Sequence, residues 1–279
     1  MSGAIWLASY PRSGNTWTRI ALYSLHGGGG EVDFDEVSQF GRMASRRERV
    51  DRVLEVDSGL MTPAEMEELR PDANAALYAA RYEPELCKVH DAWVRTPSGR
   101  PVFDAAFTHA AIYLVRDPRD VAVSWARFVN WPIEQSVDFL CSPSASLGTP
   151  PRLGVGTQLT QRLGSWSSHV RSWIDESGLN PLVMRYEDML ADPADALRRM
   201  AAHIGWDAPE EAVTRAVELT RFDKLAAKEQ REGFSERAPQ SERFFHSGKS
   251  GTWRSVLTPG QVARLETEHA ATMQRFGYL

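Results

Sequence analysis

Cysteine is scarce in this 279-residue chain, with only Cys87 and Cys141 present. Two thiols cannot build a disulfide framework or a typical zinc site, so the fold must rest on its core. Long apolar runs are missing too. No stretch approaches the roughly 18 residues of a membrane-spanning helix, and Met1-Ser2-Gly3 leads straight into an apolar segment without a signal-peptide preamble. These absences imply a cytoplasmic protein with no membrane span. Basic excess is also lacking: 32 Lys and Arg face 37 Asp and Glu, a net charge of −5. That argues against nucleic acid as a partner, because polyanion binding shows as a broad positive field. No metal-ligand cluster is visible, so no metal is expected, and no internal repeat appears.

What remains is a chain with 42% hydrophobic residues, enough to bury a sizeable core as one domain spanning 1–279. Short apolar segments at Ala4 to Ser9, Leu86 to His90, Ala111 to Val115 and Leu182 to Tyr186 alternate with capped helices. This is the pattern of an α/β sheet covered on both faces. Thr62-Pro63-Ala64-Glu65, Asp192-Pro193-Ala194-Asp195 and Thr258-Pro259-Gly260-Gln261 each supply a cap, a proline at the first helical position and an acid or amide at the third. Gln261 to Phe276 reads as a solvated amphipathic helix. Gly27 to Gly30 should end the first helix, and residues 131–164, rich in proline and glycine, read as an irregular insertion that closes over an acceptor site as a lid.

The segment Trp6 to Trp17 reads as a buried strand entering a tight basic turn and then a helix. Backbone N–H groups from Ser13 to Trp17 would lack helical partners and converge, with the helix dipole, on any anion held there. Arg12 adds a forked donor. An NTP-hydrolysing loop, G-x-x-x-x-G-K-[ST], needs a lysine followed by a Mg²⁺-ligating hydroxyl, and this segment has neither. A second segment, Ala111 to Ser124, places Arg116 at the carboxyl end of a strand. Asp117 then caps a helix that carries Pro118 at its first position, Asp120 in its first turn and Ser124 about two turns along.

Pro11-Arg12-Ser13-Gly14-Asn15-Thr16-Trp17 resembles the P-K-S-G-T-x-W loop of cytosolic-type sulfotransferases, which use 3′-phosphoadenosine-5′-phosphosulfate (PAPS). Arg116 to Ser124 is similar to that family's 3′-phosphate segment, R-x-x-x-D-x-x-x-S. Arg185-Tyr186-Glu187-Asp188-Met189 resembles its Y-E-D-M, Leu219-Thr220-Arg221-Phe222 its T-S-F, and Gly248 to Trp253 its closing G-x-x-G-x-W. The resemblance implies a three-layer, P-loop-like fold with a central, mostly parallel sheet flanked by helices. It also implies that Arg12, Ser13, Gly14, Asn15, Thr16 and Trp17 hold the 5′-phosphosulfate end, that Arg116, Ser124, Ser247, Gly248 and Lys249 hold the 3′-phosphate, and that Trp17, Tyr186, Thr220 and Phe222 line the adenine pocket. Arg119 is a further candidate for local positive charge.

Glu85 to Asp91 carries Lys88 and His90 on one face near a strand's carboxyl end, where open α/β sheets bind ligands. A histidine suits proton removal because its unperturbed pKa lies near 6.5. The match to the family's K-T-H implies His90 as general base with Lys88 and Arg12 as electrostatic partners; Asp91 is the alternative base, or the residue that orients His90. The implied reaction moves a sulfuryl group from PAPS to a hydroxyl or amine of a small-molecule acceptor, an alcohol, phenol or sugar. Trp93, Phe103, Trp125, Phe128, Trp131 and Phe139 are candidate aromatic walls. Two departures stand out: Arg12 replaces the family's lysine, and His246-Ser247 replaces its Arg-Lys pair. The latter favours a non-catalytic protein that binds PAPS or adenosine bisphosphate, which Lys88, His90, Arg116 and Ser124 oppose. A P-loop-like nucleotide-dependent kinase is the other alternative.

Overall fold

A computed structural model describes residues 3–148, 156–237 and 240–279. The strands are β1 (Ala4–Ser9), β2 (Arg42–Met43), β3 (Glu85–Val89), β4 (Thr108–Val115), β5 (Ser146–Leu147), β6 (Gln161–Arg162) and β7 (Leu182–Arg185). Five of them form one sheet in the order β2-β3-β1-β4-β7, while β5 and β6 pair antiparallel apart from it. β1 runs parallel to β3, with Ala4 opposite Glu85 and Leu7 opposite Lys88, and β2 runs parallel to β3 through Arg42 opposite Cys87. Every residue of β1 is buried, as the continuous apolar run Ala4-Ile5-Trp6-Leu7-Ala8 requires of a central strand covered on both faces. The fold is α/β, a central, mostly parallel sheet flanked by helices.

The chain separates into two compact units. The first comprises Met1–Tyr10, Gly41–Tyr113 and Ser142–Val183, and the second Pro11–Phe40, Leu114–Cys141 and Met184–Leu279. In the first, Trp6 meets Tyr78 and Phe103 edge-on at 5.1 and 5.0 Å between ring centroids. Val50, Met66, Ala73 and Leu159 make a further cluster under the helices Arg47–Leu54 and Pro63–Tyr78. The second unit packs Ile20, Val32, Phe34, Val37, Leu225, Phe234 and Phe245 together. Each such fully buried side chain contributes roughly 1.5–3 kcal/mol relative to its exposed state.

The helix starts fall where the caps predict. Thr62 and Thr258 form complete capping boxes, and Asp192 accepts from Asp195 N. Three expectations change. Residues 131–164 are not uniformly irregular: Ile133–Cys141 is a helix burying Val137 and Leu140, and β5 and β6 follow; residues 149–155 lie outside the described ones. The C-terminal segment is two helices, Pro259–Glu268 and Ala270–Arg275, and it is anchored by fully buried Leu265 and Met273 rather than merely solvated. Phe103 is wholly buried against Trp6 and Trp173, so it belongs to the core and not to an acceptor wall.

Candidate active site

The chain leaves β1 at Ser9 and enters the helix Asn15–His26 through a tight loop in which Arg12 (φ 70°) and Gly14 (φ 97°) are left-handed. A Cβ on Gly14 would lie 2.7 Å from Tyr186 Cδ2, so both the dihedral and the neighbouring ring demand glycine. Gly14 is the N-cap and offers no capping side chain, which leaves the first-turn amides, together with the helix dipole, for an external acceptor. Ser13 is fully buried and its Oγ has no partner. Such an orphan hydroxyl beside a left-handed loop fits a phosphate or sulfate oxygen.

Arg12 lies between two rings, its Cζ 4.6 Å from the centroid of Phe128 and 4.8 Å from that of Phe244. Its Nε donates to Ser124 Oγ at 3.0 Å, which joins the loop to the helix Pro118–Val129. Burial, then the nearby charge of Arg116, lowers its pKa to about 10, so it remains a cation at neutral pH. Arg116, at the exit of β4, donates from Nη1 to Arg12 O at 2.9 Å and from Nη2 to Lys249 O at 3.1 Å, and stacks 4.2 Å over the Tyr186 ring. Its buried Nε has no partner. One guanidinium therefore clamps the cradle loop to the closing loop and still carries a donor aimed at no protein acceptor.

The closing loop has a second anchor. Asp120, in the first turn of Pro118–Val129, accepts from Gly251 N, Thr252 Oγ1 and Trp253 N at 2.5, 2.9 and 3.1 Å. Arg119 departs from expectation: it is paired with Asp117 and Glu266, donates to Tyr278 O and stacks on Trp253, so its charge ties down the C-terminus rather than serving an anion. Trp17 Nε1 donates to Thr220 O at 3.0 Å, and a Cβ on Gly248 would lie 2.4 Å from Phe222 Cδ2. The structure thus brings Trp17 to Thr220 and Gly248 to Phe222. The Thr220 hydroxyl is buried and donates to Ala216 O at 2.7 Å, leaving it only acceptor capacity for a ligand.

Lys249 and His246 are exposed, and Ser247 is half-buried. Partial burial, then the charges of Arg12 and Arg127, lowers the His246 pKa, with Arg243 adding to the effect. This face therefore keeps cations although the expected Arg-Lys pair is absent. Glu236 was not singled out from sequence: it accepts from Thr16 Oγ1 at 3.1 Å and pairs with Arg19. A carboxylate thus sits on a hydroxyl in the first turn of the helix Asn15–His26. The candidate aromatic walls Trp125, Trp131 and Phe139 pack on one another, with Trp125 and Phe139 stacked at 5.2 Å.

In the other unit, Lys88 is buried on β3 and its carbonyl accepts from Ala44 N at 3.0 Å. His90 follows the last residue of β3, with Nδ1 3.0 Å from Ser9 O and 3.4 Å from Ser9 Oγ. A carbonyl oxygen only accepts, so the proton of the neutral ring belongs on Nδ1 and the lone pair on Nε2. Asp91, the alternative base or orienting residue, is buried and ion-paired with Arg70 Nη1 at 2.5 Å. Trp93 is likewise buried and donates from Nε1 to Phe103 O at 3.0 Å. Among the described residues no group of His, Cys, Asp and Glu could hold a metal ion, and no helix is long and apolar enough to cross a membrane.

The model of the sulfotransferase domain matches residues 2–277. Cytosolic sulfotransferase 17 of Arabidopsis thaliana is 28% identical over 177 residues, covering 56% of this chain and 46% of its own, so this match spans about half the length of that relative. Sulfotransferase 1A1 of Rattus norvegicus is 25% identical over 281 residues, 96% of this chain and 83% of its own. Among solved structures, retinol dehydratase in complex with androsterone and the inactive cofactor PAP superposes with a TM-score of 0.62 at 21% identity, over 97% of this chain and 80% of that one.

Proposed function

Because this chain belongs to the sulfotransferase domain family, we propose that it moves a sulfuryl group from PAPS to a hydroxyl or amine of a small-molecule acceptor, with His90 as general base. PAPS, when bound, supplies the electrophilic sulfuryl group and leaves as adenosine 3′,5′-bisphosphate. Ser13, Gly14, Asn15, Thr16 and Trp17 hold its 5′ end. Arg116, Ser124, Ser247, Gly248 and Lys249 hold the 3′-phosphate, and Trp17, Tyr186, Thr220 and Phe222 surround adenine. Arg12 balances charge that grows on the bridging oxygen, a preorganised donor of this kind being worth about 3 kcal/mol, and Lys88 is the electrostatic partner of His90. His90 takes the acceptor proton at Nε2, the nitrogen left with a lone pair by the contact to Ser9 O.

The observation that carries this reading is the cradle itself: a buried, partnerless Ser13 hydroxyl and Arg116 Nε in the same unit as a glycine-capped helix start. The acceptor is a small alcohol or phenol, in keeping with the androsterone held by the solved structure of retinol dehydratase, and residues 131–148 and 156–164 belong to its lid within a single functional domain.

Calorimetric titration with adenosine 3′,5′-bisphosphate, run beside adenosine 5′-monophosphate and ATP on wild type and Arg116→Ala, tests the cofactor. Selective binding of the bisphosphate that weakens at least tenfold in Arg116→Ala is expected. Equal or tighter binding of ATP, or no binding of any of the three, would overturn it. His90→Gln that binds the bisphosphate but transfers no sulfuryl group from PAPS to 4-nitrophenol separates catalysis from mere binding.

A further inference from the structure

Beyond Val89 the chain leaves the β3 ladder, so the carbonyls of His90 and Asp91 need donors from elsewhere if they are not to be stranded. Both come from one helical segment. His169, on Trp166–Arg171, sends Nε2 to within 3.0 Å of His90 O. Trp173, four residues on, donates from Nε1 to Asp91 O at 2.9 Å, the spacing that puts two side chains on one helix face. Between them Ser172 Oγ accepts from Trp93 N at 3.0 Å and donates to His169 O at 2.8 Å. The segment continues as a π-helix over Ser172–Glu176, a local departure often found near functional sites.

The tautomer of His169 follows from its partners. Nε2 faces a carbonyl and must donate, so Nδ1 must accept, and Tyr113 Oη lies 2.8 Å from it. The ring is wholly buried, with Tyr10 against it at 5.3 Å between centroids. Buried, neutral and held at both nitrogens, this imidazole has one orientation.

We propose that His169 is a positioning residue for His90: through the relay Tyr113 Oη to His169 Nδ1 and His169 Nε2 to His90 O, it fixes the backbone that holds the His90 ring on Ser9 O and so keeps the lone pair on Nε2. The proposal rests on the reading of His90 as general base. His169 touches no reacting atom in it; it sets the conformation of the residue that does.

The test is ¹⁵N NMR of histidine-labelled protein, with the His90 signals assigned by His90→Gln, on wild type, His169→Phe and His169→Gln. Gln can accept from Tyr113 and donate to His90 O, so wild type and His169→Gln should both show a single Nδ1–H tautomer at His90. His169→Phe should show mixed tautomers and a rate of transfer from PAPS to 4-nitrophenol reduced about tenfold or more, with affinity for adenosine 3′,5′-bisphosphate within about twofold of wild type. If His169→Phe does not fold, Tyr113→Phe is read instead: its His169 still donates from Nε2 to His90 O but is no longer held at Nδ1, so the ring and the backbone it fixes are less constrained and the same tautomer mixing at His90 should appear to a smaller degree. A single Nδ1–H tautomer at His90 in the folded variant would overturn the proposal. A wild-type transfer rate in His90→Gln would instead remove the general-base reading, whatever the tautomer, so the two failures are distinct.

Discussion

Arg12, Arg116 and Glu236 show how single residues set the charge of the proposed anion site. Two arginines close together raise each other's electrostatic cost, yet each is met by a π-face and by oxygen acceptors, Arg12 by Phe128, Phe244 and Ser124, and Arg116 by Tyr186 and two carbonyls. Cation–π contacts of this kind are worth about 0.5–2 kcal/mol each. Glu236 works in the opposite sense, since its carboxylate engages Thr16 Oγ1 and would oppose a phosphate bound there as proposed. Glu236→Gln should therefore bind adenosine 3′,5′-bisphosphate about 3- to 10-fold more tightly, the order expected for removing one like charge at a partly exposed site. Calorimetry on the variant checks this, and unchanged or weaker affinity would mean that the pairing with Arg19 matters more for shaping the loop. Arg12, Arg116, Lys88 and His90 stand out in sequence as candidates because each lies at or near the carboxyl end of an apolar strand segment. Glu236, Arg70, Tyr113 and His169 were not, because their partners lie 220, 21, 56 and 79 residues away and such contacts leave no local pattern.

At the scale of elements, the loop–helix unit at residues 10–26 and the helix Pro118–Val129 do most of the positioning. Gly14→Ala combines a left-handed dihedral with a Cβ 2.7 Å from the Tyr186 ring. It should cost about 1–3 kcal/mol in stability and lower bisphosphate affinity at least tenfold, measured by urea unfolding and titration. Asp120→Asn keeps the shape but loses the charge that gathers Gly251 N, Thr252 Oγ1 and Trp253 N, and should destabilise by about 1–3 kcal/mol. Proteolysis between residues 240 and 255 should quicken in that variant, and an unchanged digestion rate would count against Asp120 as the anchor. The caps made most helix starts readable, because Thr, Asp and Pro act within one turn. Ile133–Cys141 was obscured by its proline- and glycine-rich surroundings, although Ile133, Val137 and Leu140 do recur at helical spacing. β2, two residues long, carries no periodicity to detect.

For the whole molecule, pH dependence follows from two buried imidazoles. Desolvation lowers the pKa values of His169 and His269 to about 4, whereas the unfolded chain titrates near 6.5. Between those values the unfolded state binds protons that the native state refuses, so stability is present above pH 6.5 and is lost as pH falls toward 4. Each histidine contributes roughly 3 kcal/mol to that loss when it is complete. Urea midpoints at pH 7, 6 and 5 should decline, and His169→Gln should flatten the decline by about half of the histidine share. A profile identical to wild type would show that His169 does not titrate as argued.

The two compact units are threaded through one another along the chain, which passes from one to the other after Tyr10, Phe40, Tyr113, Cys141 and Val183. A recombination junction placed anywhere in the coding sequence therefore cuts at least one of them. The residues assigned to the cofactor, from Arg12 to Lys249, lie in one unit, and Lys88 and His90 lie in the other. Neither can be inherited as a contiguous cassette, so gene fusion and shuffling must carry the pair together.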